Sequence, residues 1–217
     1  MKPKIPRRQL DVPAPAALRT MIDAAGTELL AYLLVAADTG ARRGEVSALR
    51  WSDLDLIGRA VTINRSVTTT GIVKSTKTDR ERQVALAARI VSALEAHRLE
   101  QAETALGFGV KVPPSAHVFP HFDRDGFDFA TPWRPHSWSH RVRRLRTQLE
   151  LGPEVTIRNL RHYVATNMLT SGVDVRTVAG RLGHATPATT LNVYAHFQPA
   201  ADRAAADILA RALEDDG

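Results

Sequence analysis

Cysteine is absent from the 217 residues, which excludes a disulfide framework and thiolate metal sites. No apolar run approaches the roughly 18 residues needed to cross a bilayer. The opening MKPKIPRRQLDVPAPA is basic but has no apolar centre, so it is not a secretory signal. An HExxH helix and the paired acidic motifs of catalytic metal sites are also missing. Tyrosine is scarce, with three residues. What is present, 44% hydrophobic and 24% charged residues, matches folded proteins rather than disordered or membrane ones. The length suits one core-forming domain with a small appendage. A cytoplasmic protein is expected, with no cofactor and no metal.

Lysine and arginine number 29 against 23 acids, a net charge of +6, which permits attraction to polyanions without proving it. Distribution says more. From Thr131 to Leu149, TPWRPHSWSHRVRRLRTQL holds five arginines, two histidines, two tryptophans and no acid. Helical spacing puts Arg141 and Arg144 near one face, while Val142, Leu145 and Leu149 can face a core. This basic amphipathic helix is either a solvated face or a phosphate-contacting one, and solvated faces usually mix both signs.

Residues 1–16 carry four prolines and four basic residues and read as an extended linker. A linker joins something, so the chain is expected to be one domain, 17–217, of a longer protein. ALRTMIDAAG and TELLAYLLVAAD read as two helices with a break at Gly26, the second apolar almost throughout and therefore central. RRGEVSALRW continues helically with Val46 and Leu49 inward, and SDLDL supplies a turn. The stretch from Gly58 to Leu86 is rich in valine, isoleucine and threonine, which predicts a small antiparallel sheet of about three strands over 60–67, 71–74 and 82–86. A long helix is expected over 88–105. Residues 107–135 look like loops with a short extended piece at HVF. Further helices are expected over 137–150, 158–171, 175–182, 186–195 and 199–214. The fold class is mainly α with a small antiparallel β-sheet, and no internal repeat is visible.

Four separated stretches belong together. TGARRGE places Arg42 at a helix start, STKTDRERQVAL places Lys77 in a turn between strands, TIRNLRH places Arg161 early in a helix, and LGHATPATTLNVYAHF places His184 ahead of Tyr194. Singly each is weak, because a lysine in a hairpin turn is usually a solvated charge and a tyrosine beside Leu191 and Val193 is usually a half-buried ring. Jointly, in this order, they resemble the tyrosine recombinase or phage integrase family. TG-x-R-x-x-E-x-x-x-L-x-W-x-D is met at Thr39–Asp53, LGH at Leu182–His184, and TT followed by Y-x-H at Thr189–His196. The resemblance covers the chain from about Ala17 to its end and corresponds to that family's catalytic domain, the amino-terminal core-binding domain being absent.

The resemblance implies roles. Arg42 and Arg161 match the two arginines that hold the scissile phosphate, Lys77 the lysine on the hairpin, His184 the later histidine and Tyr194 the nucleophile. It implies site-specific recombination of double-stranded DNA by transesterification through a 3′-phosphotyrosine intermediate. It further implies a homotetramer on DNA that exchanges the carboxy-terminal helix, and in some systems a directionality factor. The residue types fit that chemistry. Charge building on non-bridging oxygens is met bidentately by guanidinium groups that stay protonated. A tyrosine with a reference pKa near 10 needs a cationic field or a base, and a departing 5′-oxygen needs a proton that Lys77 could deliver. The phosphotyrosine ester keeps the bond energy, so religation needs no ATP.

One position departs from the family pattern. Where histidine usually stands three residues before the second arginine, this chain has Arg158, which cannot accept a proton near neutral pH. His184, water, or field stabilisation of the tyrosinate must then serve, with Arg158 either an extra phosphate donor or a structural ion pair. Arg43 is expected to face solvent or DNA, Glu45 to orient Arg42 or cap its helix, and His162 to pack or hydrogen-bond in the interior. Trp133 and Trp138 are expected to pack in the core or on the DNA backbone. His196 lies on the tail. The stripe Ala201, Ala205, Ile208, Leu209 and Leu213 packs on its own domain or on a neighbouring protomer. Two other functions remain open on this evidence: a type IB topoisomerase, and a DNA-binding accessory protein that does not cut.

Overall fold

The computed structural model describes residues 11–75 and 81–194; Lys77, His196 and the helix expected over 199–214 lie outside them, as does the side chain of Tyr194. Helix α1 (Pro15–Asp23) begins two residues earlier than the sequence suggests, because Pro15 occupies the first turn, where a missing N–H leaves no bond unmade. Helix α2 (Thr27–Thr39) follows Gly26 and is the most deeply buried element, with Leu29, Ala31, Tyr32, Leu33, Leu34, Val35 and Ala36 all inside. It ends at Gly40 in the left-handed conformation (φ 62°). A side chain at Gly40 would collide with the Leu182 methyl, so glycine is required twice over. Helix α3 (Arg43–Ser47) then starts at once, with Val46 and Leu49 buried as expected.

The strand region departs from expectation. The run over 60–67 is not one strand of one sheet. Strands β1 (Leu54–Asp55), β2 (Ala60–Ile63) and β5 (Arg82–Ala85) form an antiparallel sheet in the order β1-β2-β5, while β3 (Arg65–Val67) and β4 (Val73–Ser75) pair separately. Val61, Ile63 and Val67 are buried in one two-residue register, interrupted only by half-buried Arg65, and side-chain alternation does not reveal that the pairing partner changes at Asn64. SDLDL, expected as a turn, contributes the short edge strand β1.

Helix α4 (Ala88–Gly107) matches expectation. The segment 107–135 is more ordered than a loop: β6 (Pro120–Asp123) and β7 (Gly126–Pro132) form a hairpin. Its flanking prolines and its aspartates are turn residues by type, which hides the alternation of Phe127 and Phe129 with Asp128. Of the HVF piece only His117 is paired, by an isolated antiparallel bridge to Arg50, while Val118 and Phe119 follow in a bend and are fully buried.

Four helices complete the described chain: α5 (Pro135–Gln148), α6 (Ile157–Thr170), α7 (Val175–Leu182) and α8 (Pro187–Tyr194). Thr156 caps α6 by accepting from Asn159 N–H at 3.2 Å, and Asp174 caps α7 by accepting from Arg176 and Thr177 N–H at 2.9 and 3.0 Å. Among the described residues no helix is long and apolar enough to cross a membrane.

Among the described residues two apolar clusters hold the fold. The larger joins α1, α2, α4, the sheet, α5 and the first half of α6 around stacked Tyr32 and Trp138 (centroids 4.1 Å apart), with Phe119 edge-on to both. Trp138 is thus a core residue, and Trp133 packs at its margin. Burying side chains of this size stabilises by roughly 1.5–3 kcal/mol each. The Tyr32 hydroxyl donates to the Arg43 carbonyl at 2.9 Å, so the aromatic core also sets where α3 begins. The smaller cluster comprises Val164, Ala165, Leu169, Val178 and Leu182 and joins α6 to α7.

Candidate active site

Arg42 sits at the N-terminal end of α3, held by Glu45 in two ways. The Glu45 carboxylate accepts from the Arg42 backbone N–H (2.9 Å) and pairs with its guanidinium (Arg42 Nη1 to Glu45 Oε1, 2.8 Å). The Glu45 side chain is 4% exposed and that of Arg42 52%, so the carboxylate is a buried anchor and the guanidinium reaches into open space. Burial by itself would raise the Glu45 carboxyl, but hydrogen bonding and charge from Arg82 and the contacts with Arg42 hold it below its ordinary value.

Arg161 lies one turn into α6 and donates from Nη1 to the Gly40 carbonyl at 2.7 Å, so the C-terminal end of α2 aims it. Arg42 and Arg161 share a cleft of about 720 Å³ between the start of α3, α5 and the start of α6. Among the described residues six arginines line this cleft, Arg42, Arg43, Arg143, Arg146, Arg158 and Arg161, and none of those lining it is acidic. Arg158 is exposed on its wall. Arg43 is exposed and donates to Ser139 Oγ at 3.1 Å, facing the cleft as expected. His162, expected in the interior, is only half-buried and lies on the cleft wall, its pKa lowered by burial and then by Arg158 and Arg161.

Helix α5 presents different arginines from those the spacing suggested. Arg141 turns inward, paired with Glu28 at 2.5 Å and stacked over Trp138 at 4.7 Å. Arg144 is exposed but does not line the cleft. Arg143 and Arg146 do, at positions the charge pattern could not single out because the acid that captures Arg141 is 113 residues away in sequence.

His184 follows α7 directly. Its Nδ1 lies 2.7 Å from the hydroxyl of fully buried Thr190, which ties it to α8. Burial, then the charges of Arg161, Arg42 and Arg82, push its pKa down to about 4, so the ring is neutral near pH 7. A second cleft of about 820 Å³ is lined by Arg42, Glu45, Lys74, Arg82 and His184 among others. Arg42 belongs to both clefts, so Arg42, Arg161 and His184, from three distant stretches, face one region. The backbone of Tyr194 ends α8, the helix that Thr190 anchors to His184. Lys77 lies outside the described residues, between β4 and β5, whose flanks Lys74 and Arg82 line the second cleft.

Sequence reasoning missed Arg82. Its Nη2 contacts Glu45 Oε2 at 2.6 Å and its Nε donates to the Arg181 carbonyl at 3.1 Å, with the side chain 11% exposed. Within RERQ it looks like any solvated strand charge, and only burial distinguishes it.

An ICEBs1 integrase of Bacillus subtilis (strain 168) is 28% identical over 182 residues, covering 82% of this chain and 47% of the relative. An integrase of Streptomyces ambofaciens is 30% identical over 186 residues, covering 79% and 45%. The chain therefore spans about half the length of these relatives. Among solved structures, XerA recombinase superposes with a TM-score of 0.66 at 28% identity, over 94% of this chain and 64% of that one. A Tn1549 transposon integrase in complex with transposon right end DNA shares the fold at a TM-score of 0.77 and 19% identity, over 96% and 68%. The family model described as the phage integrase family matches residues 14–201. By that match, across most of its length, the chain belongs to the phage integrase family.

Proposed function

We propose that this chain is the strand-cutting and rejoining domain of a site-specific DNA recombinase. The observation that carries the reading is the convergence of Arg42, Arg161 and neutral His184 beside an acid-free, arginine-lined cleft. In this reading Arg42 and Arg161 donate to the non-bridging oxygens of a scissile phosphodiester, where charge builds as the nucleophile attacks. With the Thr190 hydroxyl donating to Nδ1, the proton of His184 sits on Nε2 and serves as a further uncharged donor to the same oxygens. The Tyr194 hydroxyl gives its proton to water in the cationic field of the site, its oxygen bonds to phosphorus, the bond from phosphorus to the 5′-oxygen breaks, and Lys77 supplies the proton that the departing oxygen takes up. The product is a 3′-phosphotyrosine and a free 5′-hydroxyl, and the reverse steps reseal the strand.

The partner is duplex DNA, bound by the arginine-lined face with a steep salt dependence; a relative of the same fold in complex with DNA supports this. Working in the cytoplasm, the full-length protein assembles as a homotetramer that exchanges its carboxy-terminal helices, with a directionality factor where excision is needed. Shortening the chain after Pro199 is expected to weaken assembly on DNA more than single-protomer binding; unchanged assembly would count against exchange.

The primary test incubates the protein with supercoiled plasmid and looks for a denaturation-resistant protein–DNA adduct. An adduct mapped to Tyr194 and lost in Tyr194→Phe supports the reading. No adduct on DNA that the protein demonstrably binds would sink it in favour of a non-cutting accessory protein, the reading Arg158 favours. Relaxed topoisomers without recombinant products would instead indicate a topoisomerase.

A further inference from the structure

We propose that Arg82 is a positioning residue for the phosphate clamp. By sharing the charge of Glu45 it leaves the Arg42 guanidinium, bound to that carboxylate through Nη1, with further donors for phosphate, and by gripping the end of α7 it fixes His184 relative to Arg42. The inference rests on the strand-cutting reading above.

Glu45 is almost completely buried, and its two oxygens are divided between two arginines: Oε1 to Arg42 and Oε2 to Arg82. A buried carboxylate must be paired, because an uncompensated buried charge is strongly destabilising. Were Arg42 the only cation within reach, satisfying Glu45 would draw its guanidinium inward and away from the cleft. Arg82 removes that demand. It is the more buried of the two arginines, at 11% exposure against 52%, and the shorter contact, at 2.6 against 2.8 Å. The division of labour follows from burial: Arg82 neutralises Glu45 permanently, and Arg42 keeps donors for an incoming anion.

The second half concerns α7. Arg82 Nε donates to the Arg181 carbonyl, and Arg181 itself pairs with Asp38 Oδ2 (3.0 Å) and donates to the Ala85 carbonyl (3.2 Å). The end of α7 is thus fastened to β5 and α2 one turn before His184. Gly183 lies directly against Arg82: it is left-handed (φ 67°), and a Cβ there would stand 2.6 Å from Arg82 Nη1. The glycine of LGH therefore has two reasons to be glycine, the helix cap and the passage of this guanidinium. Arg82 also begins β5, five residues after Lys77 in the sequence.

The test uses the cleavage position mapped on plasmid, built into two duplexes: one with the natural phosphate there, one with a neutral methylphosphonate. On the phosphate duplex Arg82→Gln is expected to slow adduct formation roughly 10- to 100-fold, as misaimed transition-state donors do. DNA affinity should change less than about threefold, since Arg82 is largely buried and its donors are taken up by Glu45 and the Arg181 carbonyl. On the methylphosphonate duplex, which asks less of the clamp, wild type and Arg82→Gln should differ by less than about threefold, and Arg82→Lys should recover part of the loss. Equal losses on both duplexes would make Arg82 merely structural and overturn the proposal, as would no loss on either. A second arm needs no cleavage: the His184 imidazole, followed by NMR, should titrate at higher pH in Arg82→Gln than in wild type. If wild type forms no adduct, the cutting reading fails and this arm alone decides, an unmoved His184 titration refuting the link to Arg82. Should Arg82→Gln not fold, Arg82→Lys carries both arms, with smaller changes of the same sign.

Discussion

The two apolar clusters are built to different standards. The larger is anchored by aromatic rings in direct contact, Tyr32, Phe119 and Trp138, and fixes the start of α3 and with it Arg42. The smaller has five buried aliphatic and alanine side chains, joins the second half of α6 to α7, and so carries His184. Helix α6 bridges the two clusters: its first half, which holds Arg161, is packed in the larger one through Ile157 and Leu160. Polar links add to that continuity: Arg161 to the Gly40 carbonyl, Arg181 to Asp38, Arg82 to Glu45 and to the Arg181 carbonyl. Arg42 and Arg161 thus stand on the heavily packed body and His184 on the lightly packed arm. Apolar packing supplies most stability and resists change of volume, whereas hydrogen bonds across a join can be remade as one side shifts.

Core truncation should separate the clusters most sharply. Trp138→Ala is expected to cost roughly 4 kcal/mol and unfold the whole domain, whereas Leu182→Ala should cost roughly 3 kcal/mol and act first on the arm. Hydrogen exchange would show it: in Leu182→Ala, amides of α7 and of the second half of α6 should lose protection while α2 keeps it. Uniform loss of protection would mean the clusters behave as one.

A smaller effect is expected at Arg158, exposed on the cleft wall in the first turn of α6. Arg158→Ala should reduce adduct formation about tenfold, in line with loss of a charge-assisted donor, without lowering the melting temperature, and Arg158→His should retain activity. An unimpaired alanine variant would remove Arg158 from the chemistry.

The mildest probe is pH. His97 and His117 in the body, and His162 and His184 at the join, are all held below the ordinary imidazole value, by burial in the first place. Folded pKa values that are depressed mean that the unfolded chain binds more protons as pH falls. The stabilisation is thus complete above about 6.5 and is lost progressively toward about 4, the value for His184. The urea midpoint should fall between pH 7 and pH 5; a constant midpoint would show that these rings titrate normally.

Helix positions were readable because capping and periodicity are local. Gly26, Thr156 and Asp174 stand at the helix starts, whereas Pro15 and Pro135, read as linker and loop, prove to be first-turn residues, so α1 and α5 begin two residues earlier than expected. The hairpin over 120–132 was not, since its turn-forming residue types outweigh a short alternation. The division of the strands at Asn64 was invisible because side-chain alternation is blind to which strand lies alongside. Arg42, Arg161 and His184 were legible through motif spacing, and Glu45 through its offset of three from Arg42. Arg82, Arg143 and Arg146 were not, because nothing in an arginine's neighbours states whether it will be buried, paired or exposed.

The sequence by itself determined the helices, the fold class, the family and the chemical types brought to the site, all of which depend on local propensity and on residues at fixed offsets. Tertiary structure decided which arginines became cleft donors and which became internal partners. Arg141 was captured by Glu28 and Arg82 by Glu45, across 113 and 37 residues of chain. A charge's role depends on its distance to its counter-charge and on how much water lies between them, and folding alone sets both.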